Sequence, residues 1–206
     1  MRYRHLVFDI DGTLLDSEYA DLHGLQDTIR ELRGRVVPVD ELRFALGIPG
    51  ESALRQLGIA DPVSANALWN RNMQRYGGTI RLFDGIAGLL PRLREQGRSL
   101  GIVTSKNRQE FALDFEPQGV AGYFDTVVCV TDSPRPKPFA DPLLTYMERT
   151  GTRPCEIVYI GDTAYDSLCA QRAGVDFGLA LWGGAPADPV EARYCFRDPG
   201  EILAVG

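Results

Sequence analysis

Two aspartates one residue apart end a short apolar run near the start of the chain, His5-Leu6-Val7-Phe8-Asp9-Ile10-Asp11-Gly12-Thr13-Leu14. Leu, Val and Phe bounded by turn residues read as a buried strand. Carboxylates held at such a strand's end repel each other unless a cation sits between them. Hard oxygen ligands suit Mg²⁺, which takes one or two carboxylates and shares its other positions with water and phosphate. The chemistry indicated is metal-assisted phosphoryl transfer. Asp-Gly also begins ordinary turns, so three further clusters carry the weight. Thr104-Ser105-Lys106-Asn107 closes the run Ile102-Val103 and offers a hydroxyl, amides and a helix start to an anion, or simply a helix cap. Arg135-Pro136-Lys137-Pro138 restricts the backbone around one lysine and so aims its ammonium. Gly161-Asp162-Thr163-Ala164-Tyr165-Asp166 follows an apolar run and places Asp166 one helical turn beyond Asp162. There Asp162 could ligate a metal while Asp166 orients a ligand water or a neighbouring side chain, and Asp162 or Thr163 also suits a helix cap.

The elements that must hold these clusters follow from periodicity. Strands are predicted at the first apolar run, Ser99–Thr104, Thr126–Val130, Glu156–Ile160 and Phe177–Leu181. Helices are predicted near Ile86–Gln96, Arg108–Phe115, Ala140–Arg149 and Tyr165–Ala173. Alternating strands and helices imply an α/β fold, a doubly wound parallel sheet covered on both faces. Ligands on such sheets bind beyond the carboxyl ends of the strands at a switch point, and each cluster lies just after a strand or in the loop before a helix. Between Leu15 and about Leu82 the pattern is helical throughout, near Asp16–Leu32, Val39–Leu46, Glu51–Leu57 and Pro62–Tyr76, with no convincing strand. The expected organisation is a core of residues 1–14 and 82–206 with an inserted helical domain over 15–81.

The 206 residues, 44% hydrophobic and 24% charged, fit a globular protein with a proper core. A net charge of −6 offers no cationic field to nucleic acid or anionic lipid. No apolar run nears the ~20 residues of a membrane span, and the start lacks a secretory pattern, so a cytoplasmic location is expected. The four cysteines form no C-x-x-C pair and are expected to be buried free thiols. His5 and His23 give a histidine-based triad little support. Of 22 basic residues only Lys106 and Lys137 are lysines. A compact ammonium suits a single phosphoryl oxygen in a tight site better than a planar guanidinium does.

Taken together, Asp9-x-Asp11-Gly-Thr13, then Thr104, then Lys137, then Gly-Asp162-x-x-x-Asp166 resemble, in order and separation, the haloacid dehalogenase superfamily, most of whose members are phosphatases. The resemblance implies a Rossmann-like core with a helical cap of the first type. It implies Asp9 as nucleophile and Asp11 as general acid and base, with Thr104 and Lys137 holding the phosphoryl group. Mg²⁺ would lie on Asp9, the Asp11 carbonyl and Asp162, with Asp166 as a further metal residue, directly or through water. Thr13, Ser105 and Lys106 are expected near the phosphate. Arg43 and Arg55, flanking the cap loop Leu46–Glu51, would grip a second anionic group or else lie on solvated helix faces. An aspartate at position 11 points to a phosphatase or phosphomutase, not a dehalogenase. The lysine-free insertion speaks against Schiff-base phosphonate cleavage. The cap loop is similar to that of phosphoglycolate phosphatase-like members, and the partner expected is a small phosphorylated metabolite. A β-phosphoglucomutase-like sugar phosphomutase, a pyrophosphatase and a catalytically idle binding scaffold are the alternatives. A response-regulator receiver fits less well, having its phosphorylated aspartate on a later strand and no inserted helices.

Overall fold

The computed structural model describes residues 3–184, 186 and 189–206. Strand β1 (His5–Phe8) is followed by β2 (Leu15–Asp16), then helices α1 (Glu18–Arg33), α2 (Gly50–Gln56) and α3 (Pro62–Met73), and β3 (Arg81–Leu82). The remainder alternates: α4 (Ile86–Glu95), β4 (Ser99–Val103), α5 (Arg108–Glu110), β5 (Thr126–Val128), α6 (Asp141–Thr150), β6 (Ile157–Gly161), α7 (Ala164–Ala173), β7 (Asp176–Ala180) and β8 (Tyr194–Phe196). Six strands form one parallel sheet in the order β5-β4-β1-β6-β7-β8.

Side chains of a strand alternate between faces, and the sheet is buried on both. Leu6 and Phe8 of β1 and Val158 and Ile160 of β6 join one cluster with Ile86, Leu89 and Leu93 of α4. Val7, Ile157 and Tyr159 join a second with Leu143 and Tyr146 of α6 and Ala170 of α7. This explains why the strands read as continuous apolar runs. The order reverses at β1, with β4 on one side and β6 on the other, which makes its carboxyl end the switch point.

The block between β2 and β3 packs on itself. Gly24 lets the α3 backbone come so close that a Cβ there would lie 2.9 Å from Met73 Cα, while Trp69 Nε1 donates to the Asp21 carbonyl at 2.9 Å.

Several expectations need correction. Leu15–Asp16 and Arg81–Leu82 pair antiparallel where the chain leaves and rejoins the sheet domain, so two short strands stand where none was expected. Two-residue strands carry no periodicity. Val39–Ala45 is a 3₁₀ helix and Phe111–Phe115 a π-helical turn continuing α5. β8 was missed because it is an edge strand with only Phe196 of its three residues buried. All four cysteines are free, but only Cys129 and Cys169 are buried; Cys155 and Cys195 lie on a surface turn and that edge strand. Among the described residues no helix is long and apolar enough to cross a membrane.

Candidate active site

Asp9 leaves the end of β1, with its amide donating to the Ile160 carbonyl at 2.8 Å. Amides of Thr13, Leu14 and Leu15 converge on the Ile10 carbonyl, folding Asp11 and Gly12 back over the sheet edge. Gly12 has φ +75°, and a Cβ there would lie 2.1 Å from Asp162 Oδ2. Only glycine allows the two loops to meet so closely. Thr104 follows β4, which pairs with β1, and Asp162 follows β6, its carboxylate within 4.8 Å of that of Asp9.

Asp9 is 2% exposed. Its Oδ2 lies 2.9 Å from Lys137 Nζ, while its Oδ1 is buried with no hydrogen-bond partner. Lys137 sits just before a cis peptide to Pro138 and is held by Asp166 Oδ1 at 2.6 Å and the Tyr159 hydroxyl at 3.3 Å. Burial pushes the Asp9 carboxyl up to about 7, Lys137 opposing and Asp166 and Asp11 adding. Burial also raises Asp162 well above the ordinary carboxylate range, with Asp166 and Asp9 contributing. Burial alone would lower the Lys137 ammonium, but Asp166 and Asp9 outweigh it and raise it.

Carboxylate oxygens of Asp9, Asp162 and Asp166 lie within 4.8 Å of one another. An orphaned buried oxygen among mutually repelling carboxylates fits a hard divalent cation. Asp166 differs from the other two. Its Oδ1 accepts from Lys137 and Tyr159, and its Oδ2 from the amide and hydroxyl of Thr163. Lys137 and the two Thr163 donors thus engage both its oxygens, and the single Tyr159 proton is shared between Asp166 Oδ1 and the Val103 carbonyl, each 2.9 Å away.

The remaining predicted residues divide. Thr104 is buried and its Oγ1 accepts the Lys106 amide, leaving its proton free. Thr13 donates to Asp162 Oδ1 at 3.1 Å, and Ser105 donates to the Gly47 carbonyl at 3.0 Å, tying β4's loop to the helical block. Lys106 is buried and paired with Asp11 at 3.1 Å and Asp114 at 2.8 Å. Burial alone would lower its ammonium, yet Asp11, Asp114 and Asp21 raise it well above the ordinary value. Arg43 and Arg55 lie outside the cavity around Asp9, half exposed and paired with Glu18 at 2.7 Å and Glu51 at 2.6 Å.

Sequence reasoning missed Asp21, Asp114, Glu110 and Tyr159. Ser17 Oγ lies 2.6 Å from Asp11 Oδ1 and 2.8 Å from Asp21 Oδ2. A hydroxyl has one proton, so when both contacts form one must come from a carboxylic acid. Burial and then Asp11 push Asp21 up to about 7, with Lys106 opposing. The signal available was spacing: Asp21 lies four residues after Ser17, on the same helical face.

A family model for haloacid dehalogenase-like hydrolases matches residues 6–180. A phosphoglycolate phosphatase of Xylella fastidiosa (strain 9a5c) is 32% identical over 189 residues, 87% of this chain and 81% of its own. The pyrophosphatase PpaX of Oceanobacillus iheyensis is 25% identical over 212 residues, 100% of this chain and 97% of its own. A crystal structure of a Lactobacillus plantarum protein, provisionally named a phosphoglycolate phosphatase, superposes with a TM-score of 0.89 at 30% identity over the whole of both chains.

Proposed function

Given that this chain belongs to the haloacid dehalogenase-like hydrolase family, we propose that it hydrolyses a small phosphomonoester through an aspartyl-phosphate on Asp9, assisted by Mg²⁺. It is a phosphatase, and the proposal concerns the route and the residues. The observation that carries it is the state of Asp9, buried, with one oxygen on Lys137 and the other without a partner.

Asp9 attacks phosphorus and the P–O ester bond breaks, so one difficult hydrolysis becomes two transfers. Lys137, held by Asp166 and Tyr159, opposes the protonation of Asp9 that burial favours and aims its carboxylate. Asp11, oriented by Ser17 and Lys106, protonates the departing alkoxide and then takes a proton from the water that cleaves the acyl phosphate. The free proton of Thr104 serves a phosphoryl oxygen. Asp9, Asp162 and the Asp11 main-chain carbonyl would hold the cation, with Asp166 acting through Lys137. When bound, the cation offsets charge on the transferring phosphoryl group. In the same reading residues 15–81 form a cap over the core of 1–14 and 82–206, and the cap excludes water during transfer. The phosphoglycolate phosphatase name of a relative 32% identical supports a small ester as substrate.

Asp9→Asn is expected to lower kcat for phosphate release at least about a thousandfold with an unchanged melting temperature in chelator. Near-normal turnover in that variant would refute the covalent route.

A further inference from the structure

The cavity beyond Asp9 is acidic where a leaving group would sit. Its described lining holds six carboxylates, Asp9, Asp11, Asp162, Glu18, Asp21 and Glu110, and one cation, Lys106. The first three belong to the proposed phosphoryl site, and Lys106 is engaged by Asp11 and Asp114. Glu18 is held by both prongs of Arg43. Asp21 and Glu110 remain, neither in an ion pair among the described residues, with Lys106 acting on Asp21 only through space. Asp21 meets only Ser17, and Glu110 accepts from the side-chain amides of Asn66 and Asn70 and the backbone amide of Asn107.

The lining's side-chain donors are also engaged. Trp69 Nε1 serves the Asp21 carbonyl, Ser105 the Gly47 carbonyl, and the Asn66 and Asn70 amides serve Glu110. The carbonyl oxygens of those two amides accept nothing from the described residues. A carboxylate or second phosphate would enter against two carboxylates with no guanidinium to receive it. A group rich in N–H would meet free acceptors. Asp9, whose buried Oδ1 has no hydrogen-bond partner, lines the same cavity, which places the phosphoryl site and these acceptors within reach of one bound molecule. The cavity volume is about 100 Å³, room for roughly seven to ten water-sized groups at about 10–15 Å³ each. That suits a phosphoryl group and a short chain. A neighbouring cavity of about 470 Å³ contains Arg55 and Arg108, but Gly50, Asn66 and Glu110 stand between the two, and both arginines are paired, with Glu51 and Asp132.

We propose that the leaving group is a short amino alcohol whose ammonium is received by Asp21 and Glu110, so that aminoalkyl phosphomonoesters are favoured over esters carrying a second anion. This rests on the phosphatase reading above. Hydrolysis gives phosphate and the free alcohol: water supplies oxygen to phosphorus and a proton to the leaving oxygen, and the ammonium is unchanged. Trp69, buried in the same lining, adds a ring face favourable to a cation.

The test is phosphate release by the whole protein with Mg²⁺ from 2-aminoethyl phosphate, n-propyl phosphate, 2-phosphoglycolate and pyrophosphate. The amino ester is expected to exceed the propyl ester about tenfold in kcat/KM and phosphoglycolate about a hundredfold. Asp21→Asn is expected to cut the amino-to-propyl ratio about tenfold. An amino-to-propyl ratio near one in the wild type, or faster release from phosphoglycolate or pyrophosphate, overturns the inference and leaves the phosphatase reading standing. An unchanged ratio in a folded Asp21→Asn overturns the role of Asp21. No release from any of the four overturns the reading beneath it.

Discussion

Asp9 is a carboxylate kept in a place that disfavours its charge, and that has a consequence in solution. Burial raises it from 3.8 to about 7. A carboxyl raised on folding contributes stability that is full below its unfolded value and lost as pH rises through the folded one. For Asp9 that window runs from about pH 4 to pH 7. A divalent cation competes with this proton, so Mg²⁺ is expected to raise the melting temperature more at pH 8 than at pH 6. The scale is about 2–4 °C per kcal/mol for a chain of this size. Thermal melts at both pH values, with Mg²⁺ and with chelator, check this, and equal shifts would remove Asp9 as a ligand. At this scale the sequence was informative about type and less about partner. The scarcity of lysine drew attention to Lys106 and Lys137, and both are buried in ion pairs. Only Lys137 reaches Asp9, whereas Lys106 turns to Asp11 and to Asp114 eight residues on.

Among the elements, one contact joins the loop before α2 to the loops at the sheet's carboxyl edge. Gly47 has φ +78°, and a Cβ on it would lie 2.6 Å from Thr163 Cγ2, while its carbonyl accepts from Ser105. Gly47→Ala therefore imposes both a left-handed backbone on alanine and a clash with the loop that carries Asp162. Steady-state kinetics on this variant should show kcat/KM reduced about tenfold or more through misplacement. Its stability should fall by only about 1–2 kcal/mol. Helices and strands with a clear period were legible, and their ends were placed within a few residues. The 3₁₀ helix, the π turn and the paired dipeptides β2 and β3 were not, because so few residues carry no repeat.

Across the whole molecule, the ends of the chain are clamped by one buried guanidinium. Arg98, 6% exposed, donates to the carbonyls of Tyr3 and Val205, next to the start of β4 and opposite the edge where Asp9 lies. Arg98→Ala removes a donor from each of two buried carbonyls, at about 1–3 kcal/mol each. Calorimetry should find the protein destabilised by about 2–5 kcal/mol, with kcat for the best ester within about twofold of wild type because the site sits at the other ends of the strands. Nothing in the sequence marked Arg98, since an arginine before a strand is ordinarily solvated.

By itself the sequence determined the α/β architecture, the family and the four loops that meet at Asp9. Those follow from strand periodicity and from carboxylates, hydroxyl and ammonium placed at strand ends, all of which are local. The tertiary structure alone decided which oxygen of Asp9 stays free, that Asp166 is engaged on both oxygens by Lys137 and Thr163, and that Arg43 and Arg55 turn outward to Glu18 and Glu51. It also brought Asp21 of α1, Asn66 and Asn70 of α3 and Glu110 of α5 around one cavity. Pairing between residues tens of positions apart depends on how helices pack over the sheet, and linear spacing carries no record of that distance.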